Sequence, residues 1–425
     1  DVASYPILQG TLLTNNNYQI NYIENSLTIT PAKLNLLNLF GSKFYDGTPF
    51  FDYTQLAIAP TSILNDDEVI LSSGTAIVSN RHVGTYSNFI DNTLGLTGAD
   101  AANYSVFGGL VNVVINPTVL TISAVTDSRI YDGTIQSAGT VTFSGLQTGD
   151  TLSELTQGFD SKNAGSRTLN VLPSYVLNDG NSGLNYSVTL KSANGTINPA
   201  PLTINAVTDS RIYDGTIQSA GTVTFSGLQA SDTLTKLTQA FDSKNAGSRT
   251  LNVLPSYVLN DGNSGLNYSV TLKSAKGTIN PAALTINAVT DSRIYDGTVQ
   301  SAGVVTFSNL QTGDTLTKLT QAFDNKNAGS RTLNVLPSYV LNDGNSGLNY
   351  SVTLKSANGT INSALLTINA VTDNRIYDGT VQSTGVVTFS GLQTSDTLTK
   401  LTQAFDSKNA GSRTLNVLPS YVLND

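Results

Sequence analysis

The chain has 425 residues, 12% of them charged, a net charge of -8, one His and no Cys, Met or Trp. That excludes a disulfide framework, a thiolate nucleophile and sulfur-ligated metal, leaves almost no imidazole chemistry, and offers no basic patch for nucleic acid or an anionic membrane surface. Hydrophobic residues at 39%, rich in Val, Ile, Leu, Tyr and Phe, give a β-protein composition rather than a disordered one. No cofactor is expected, and no apolar run is long enough to span a membrane.

In chain order, residues 1–32 close on NSLTITPA, which matches the later closing string NGTINPA, and read as the C-terminal part of a preceding repeat. Asp1 stands in mid-pattern without an initiator Met, so a window onto a longer array is expected. Residues 33–118 form a diverged repeat; 119–200, 201–282 and 283–364 are near copies, and 365–425 is a truncated one. RIYDGT recurs at Arg129, Arg211, Arg293 and Arg375, 82 residues apart, and residues 120–200 and 202–282 differ at 7 of 81 positions. Copying a module with so little change meets a demand for length or valency, not for one active site.

Within 202–282 the apolar residues alternate. Leu202, Ile204 and Ala206 share one face, and Val223, Phe225, Leu251, Val253, Leu266, Tyr268, Val270 and Leu272 are expected to point inward. Period two between turns such as YDG, NAGS and NDGNSG predicts half-buried antiparallel strands. SDTLTKLTQAF fits helical spacing too, but its Thr residues favour a strand. The fold class is therefore all-β, a tandem array of small Ig-like β-sandwich domains, with a β-grasp unit as the alternative. Units meet at Pro31, Pro117, Pro199, Pro201 and Pro281, with Ser363 as the departure, and no flexible spacer intervenes. A semi-rigid rod is expected, each unit adding roughly 30–40 Å.

LTI, RIYDGT, SGLQTGDTL, FDSKNAGSRTLNV, LNYSVTL and GTINPA, in that order, resemble the YDG repeat of filamentous-haemagglutinin-like, two-partner-secretion bacterial adhesins, and NNNYQINYIENSLTITPA resembles the MBG repeat found beside it. The resemblance implies an extracellular, secreted or outer-surface structural stalk, not an enzyme. It would project a binding region towards a host or neighbouring-cell surface or matrix, or link cells in a biofilm. Two other readings stay open: multivalent glycan- or protein-binding repeats, although no unit shows a clustered aromatic platform, and a filament in which residues 1–32 of one molecule complete 365–425 of the next.

The most repeated motif is Tyr45-Asp46-Gly47, Tyr131-Asp132-Gly133, Tyr213-Asp214-Gly215, Tyr295-Asp296-Gly297 and Tyr377-Asp378-Gly379. It reads as a structural turn in which Asp accepts backbone N–H groups, Gly takes positive φ and Tyr packs on the core. Asp179 to Gly183 resembles a calcium loop only in part and reads as a Gly-rich turn. His82 stands where later units have Asn163, and Arg81 where they have Lys162. That argues against an essential base and against an isopeptide bond from Lys162 to Asp132 or a nearby Asn. Asn103, Asn185, Asn267, Asn349, Asn194 and Asn358 match the glycosylation pattern, which Lys276 removes in one copy.

Overall fold

The computed structural model describes residues 2–30, 32–33, 39–106 and 110–425; the expected junction at Pro31 lies outside them. The chain forms two compact units. One takes residues up to Pro201 with Gln229–Asp232 and Asn260–Ser269, the other Leu202–Leu228, Thr233–Leu259 and Val270–Asp425. Among the described residues there is no α-helix, only 3-10 turns at Tyr53–Gln55, Pro60–Ser62 and Ala101–Asn103. Among these residues no helix is long and apolar enough to cross a membrane. A β-grasp unit needs a helix packed on its sheet, so that alternative falls, and the fold is all-β, small two-sheet sandwiches in tandem.

The repeat at 119–200, in the first unit, shows the plan. Thr142–Ser144, Thr118–Ser123 and Tyr186–Lys191 form a three-stranded sheet in that order. Asp127–Ile130, Ala193–Asn198, Gly165–Val171 and Gln157–Phe159 form a four-stranded one. Thr151–Ser153 pairs separately with Val176–Asn178. Alternation turns Leu120, Ile122, Leu169 and Ile197 fully inward, the period-two burial that a half-buried strand requires.

The first strand and the closing segment pair in parallel, which corrects the expectation of antiparallel pairing throughout. Thr118 lies opposite Tyr186 and Ile130 opposite Asn198, a constant offset carried across both sheets. One parallel ribbon therefore passes from the first sheet to the second. The cause is the tandem connection: only Pro117 or Pro199 separates a closing strand from the next first strand. A repeat that enters and leaves at opposite ends must have its first and last strands pointing the same way.

Where the ribbon changes sheets, Val125 has no ladder partner, and a buried backbone group cannot go unpaired. Gln157 substitutes for a strand: its Oε1 accepts the Val125 N–H at 2.7 Å, and its Nε2 donates to the Val125 carbonyl at 2.8 Å and to Ser137 Oγ at 2.9 Å. In the second unit the repeat at 283–364 has the same two sheet orders, and Gln321 makes the same three bonds. The close packing under the four-stranded sheet also explains the repeated Asn-Gly-Thr. A Cβ on Gly195 would stand 2.7 Å from the Phe159 ring and 2.8 Å from Leu169.

Several inward assignments need correction. Leu202, Ile204, Val223, Leu251, Val253 and Tyr268 are buried and Val270 half-buried, but Phe225 is 43% exposed, Leu266 68% and Leu272 43%. Phe225 lies opposite Ile204 on a three-residue strand at the sheet edge. Leu266 precedes its strand, which starts at Tyr268, and Leu272 lies near that strand's far end. SDTLTKLTQAF is neither one strand nor a helix: Lys236, at φ +55°, separates Thr233–Thr235 from Gln239–Phe241.

Gln157→Ala leaves the Val125 N–H and C=O unpaired and is expected to cost about 2–4 kcal/mol. Hydrogen exchange at Val125, in the full chain under increasing urea, reads that loss directly.

Candidate functional site

The YDG turn is built locally as its residue types demand. Asp132 Oδ1 accepts the Thr134 N–H at 2.9 Å and its hydroxyl at 2.8 Å, Gly133 has φ +82°, and Arg129 pairs with Asp132 and donates to the Gln136 carbonyl. Lys43 does the work of Arg129 in the diverged repeat, bonding Asp46 and the carbonyls of Thr48 and Phe50.

The tyrosine does something that local turn chemistry does not require. Tyr131 reaches 101 residues along the chain and donates its hydroxyl to Asp232 Oδ2 at 3.0 Å, in the following repeat. Tyr268, from that same following repeat, donates to the same oxygen at 2.5 Å, and the two rings meet edge to face at 5.5 Å. Both the loop at Gln229–Asp232 and the segment Asn260–Ser269 belong to the first compact unit with Tyr131. The arrangement recurs as Tyr45 and Tyr186 on Asp150, at 3.0 and 2.7 Å, and as Tyr213 and Tyr350 on Asp314, at 3.0 and 2.6 Å. Tyr295 donates to Asp396 at 3.0 Å.

Beside this cluster a second one forms around the Asn of the NYS string. Asn267 Oδ1 accepts the N–H of Ala164, from the preceding repeat's NAGS turn, at 2.7 Å, and its Nδ2 donates to Asn163 Oδ1 at 3.3 Å. Asn349 repeats both bonds with Ala246 and Asn245. Its sister Asn185 takes the Val83 N–H at 3.0 Å and faces His82 Nδ1 at 3.0 Å. His82 thus stands in for the side-chain oxygen of Asn163, and Arg81 adds an ion pair to the buried Asp150 at 3.1 Å. At the start of the chain, the Val2 N–H bonds Asn103 Oδ1 at 2.7 Å.

The Asp179 loop holds these asparagines in place. Asp179 Oδ1 accepts the N–H groups of Asn181 and Gly183, and Oδ2 that of Asn185, at 2.8–3.0 Å. With its oxygens turned to backbone donors, the loop is not arranged for calcium, and no group of three or more His, Asp or Glu that could hold a metal ion occurs among the described residues. Burial alone would raise the Asp179 carboxyl, but those N–H donors outweigh it and hold it below the usual aspartate range. Asn185, Asn267 and Asn349 are fully buried, so in the folded chain they do not serve as glycosylation acceptors; Asn194 and Asn358 are exposed. Lys326, the counterpart of Lys162, lies 3.9 Å from Asp396, while Asp296 is taken by Arg293. Asp296, the counterpart of Asp132, is thus committed to Arg293.

Four of the five YDG motifs that read as separate turns thus each reach into a joint with the following repeat. Tyr45, Tyr131 and Tyr213 are each 1% exposed and Tyr295 9%. Tyr377 is 60% exposed, in the repeat with neither its own closing strands nor a successor in this sequence. Hydrogen bonds to a carboxylate are worth about 1.5–3 kcal/mol each and an edge-to-face ring pair about 0.5–1.5. Each joint is thus comparable with a sizeable part of a small domain's own stability. The signal in the sequence was the strict recurrence of Asp150 and Tyr186 in positions where a turn alone asks for neither.

Burial, together with the hydrogen bond to and charge of the shared aspartate, pushes Tyr45, Tyr131 and Tyr213 up to about 12 from 10.0. Tyr186, Tyr268 and Tyr350 are pushed up for the same reasons. A folded-state value above the unfolded one means the contribution is complete below pH 10 and is lost as pH rises through about 12. Tyr213→Phe is expected to lower stability at pH 8 by about 1–3 kcal/mol and to flatten the alkaline loss, as urea unfolding between pH 8 and 12 would register.

The model of the YDG domain family matches residues 30–110, 116–195, 198–277, 280–359 and 362–423. No curated protein matches the chain. Solved structures similar to it include the N-terminal eight Ig domains of Down Syndrome Cell Adhesion Molecule, at 10% identity and a TM-score of 0.19, covering 88% of this chain and 53% of that one. Drosophila N-cadherin EC1-4 matches at 8% and 0.20, covering 74% and 90%. Surface layer protein SbsC, domains 4-9, matches at 11% and 0.21, covering 92% and 76%. The chain spans about half the length of the first, and at these scores the likenesses carry no argument.

Proposed function

The chain belongs to the YDG domain family, and from that premise we propose that it is the structural repeat region, or stalk, of a secreted or cell-surface bacterial adhesin of the filamentous-haemagglutinin kind. The observation that carries the reading is the joint. The same Tyr, Asp and Tyr meet at consecutive repeats, with one proline between closing and opening strands. A chain selected for catalysis gains nothing from identical joints; a chain that must hold a binding region at a distance gains reach and resistance to extension. The bond from Val2 to Asn103 supports a preceding, MBG-type repeat seated on the diverged one in the manner of its successors. Nothing in the joint is basic enough to draw nucleic acid, and its partners are cell or matrix surfaces reached by regions beyond the repeats.

A stalk of near-identical modules unfolds in equal steps. Stretching single molecules is expected to give a sawtooth whose contour increments cluster near about 25 nm, from about 3.5 Å for each residue of a repeat less the roughly 30–40 Å that the folded repeat already spans. A continuous, stepless extension at low force would contradict the mechanical role.

A further inference from the structure

The outer face of the four-stranded sheet differs between the diverged repeat and its copies. In 119–200 that face presents Ser128 and Ile130 along its edge strand and Thr126 just before it, with Thr196 on the neighbouring strand, all exposed. In the diverged repeat the corresponding strand, Leu39–Phe44, presents Phe40, Ser42 and Phe44. Phe40 is 49% exposed and Phe44 67%. Parallel pairing sets Asn112 beside Phe40, Val114 beside Ser42 and Asn116 beside Phe44. Two exposed rings thus share this face, where the sister repeat at 119–200 carries Thr126 and Ile130. A shallow cavity of about 510 Å³, lined in part by Phe40, Ser42 and Asn112, opens on it.

We propose that this face is a binding site for a neutral oligosaccharide. The two rings lie roughly 13 Å apart along the strand, four residues at about 3.3 Å each. That is too far for one sugar ring, so the ligand has to span several. Between and beside the rings stand a hydroxyl and two amides. Apolar faces alternating with hydrogen-bonding groups match the alternation of C–H faces and hydroxyl edges along a glycan, and a few polar groups among aromatic ones are what fix a ligand's orientation. The six positions carry no charge, while the chain as a whole carries -8. An anionic polymer would meet repulsion with no compensating cation on the face, and a basic one would find no partner there. The site lies on rigid strand, outside the joint, so the stalk reading and this one stand or fall separately.

The test uses the full chain and a panel of uncharged hexasaccharides, cellohexaose, maltohexaose, mannohexaose and chitohexaose, with a heparin hexasaccharide as the anionic control. Calorimetric titration is expected to show saturable binding of at least one neutral member, with a Kd of about 10⁻³ to 10⁻⁵ M. Phe40→Thr with Phe44→Ile installs the residues the sister repeat carries, so the fold has a precedent for it, and binding is expected to fall at least about tenfold. The reciprocal change, Thr126→Phe with Ile130→Phe, is expected to add a second site. Absence of binding across the neutral panel, equal binding by the double variant, or preference for heparin would overturn the proposal. So would light scattering in which the double variant's only effect is loss of a dimer, since the face would then cover a second copy of the chain.

Discussion

One aspartate carboxylate, buried and shared by two tyrosine hydroxyls that come from different repeats, sets the terms for the rest of the molecule. Asp232 has a side chain removed from water and accepts from Tyr131 of the repeat before it and Tyr268 of its own. A carboxylate in that position is costly unless its lone pairs are filled. Tyr268 and Ser231 of its own repeat fill it in part, and Tyr131 of the preceding repeat adds a further donor. Each repeat is therefore finished chemically by a neighbour, and that dependence, more than the proline between strands, couples one sandwich to the next.

The diverged repeat shows how the joint tolerates change. His82 replaces an asparagine and still meets Asn185 through a ring nitrogen, while Arg81 replaces a lysine and pairs with Asp150. The Asn185 amide keeps its orientation because its oxygen accepts from Val83 and Asn181 and its nitrogen donates to the Asp179 carbonyl. The surface beyond the joint varies with less constraint. Phe40 and Phe44 replace Thr126 and Ile130 on the outer face of the parallel ribbon, whose pairing stays the same.

Period, strand locations and turn chemistry were legible because they are local. Leu202, Ile204, Leu251 and Val253 fall on the buried face that alternation predicts. The parallel ribbon was not, since a two-residue period is the same for either strand direction, and only the tandem connection distinguishes them. Phe225 and Leu272 were misplaced because alternation gives the side of a sheet and not the distance from its edge. The partner of Tyr131 lies 101 residues away, beyond any pattern within a repeat. What could have pointed to it is that Asp150 and Tyr186 recur unchanged in every near copy although the turn and strand they occupy would accept other polar residues.

The central claim is that Tyr131 and Asp232 act on each other across the joint. A double-mutant cycle on the full chain, Tyr131→Phe, Asp232→Asn and both together, with stability read by urea unfolding, tests it most directly. The account predicts a coupling of at least about 1 kcal/mol, as contacting partners in one network show. Additivity within about 0.3 kcal/mol would contradict it and reduce the joint to neighbouring surfaces that happen to touch.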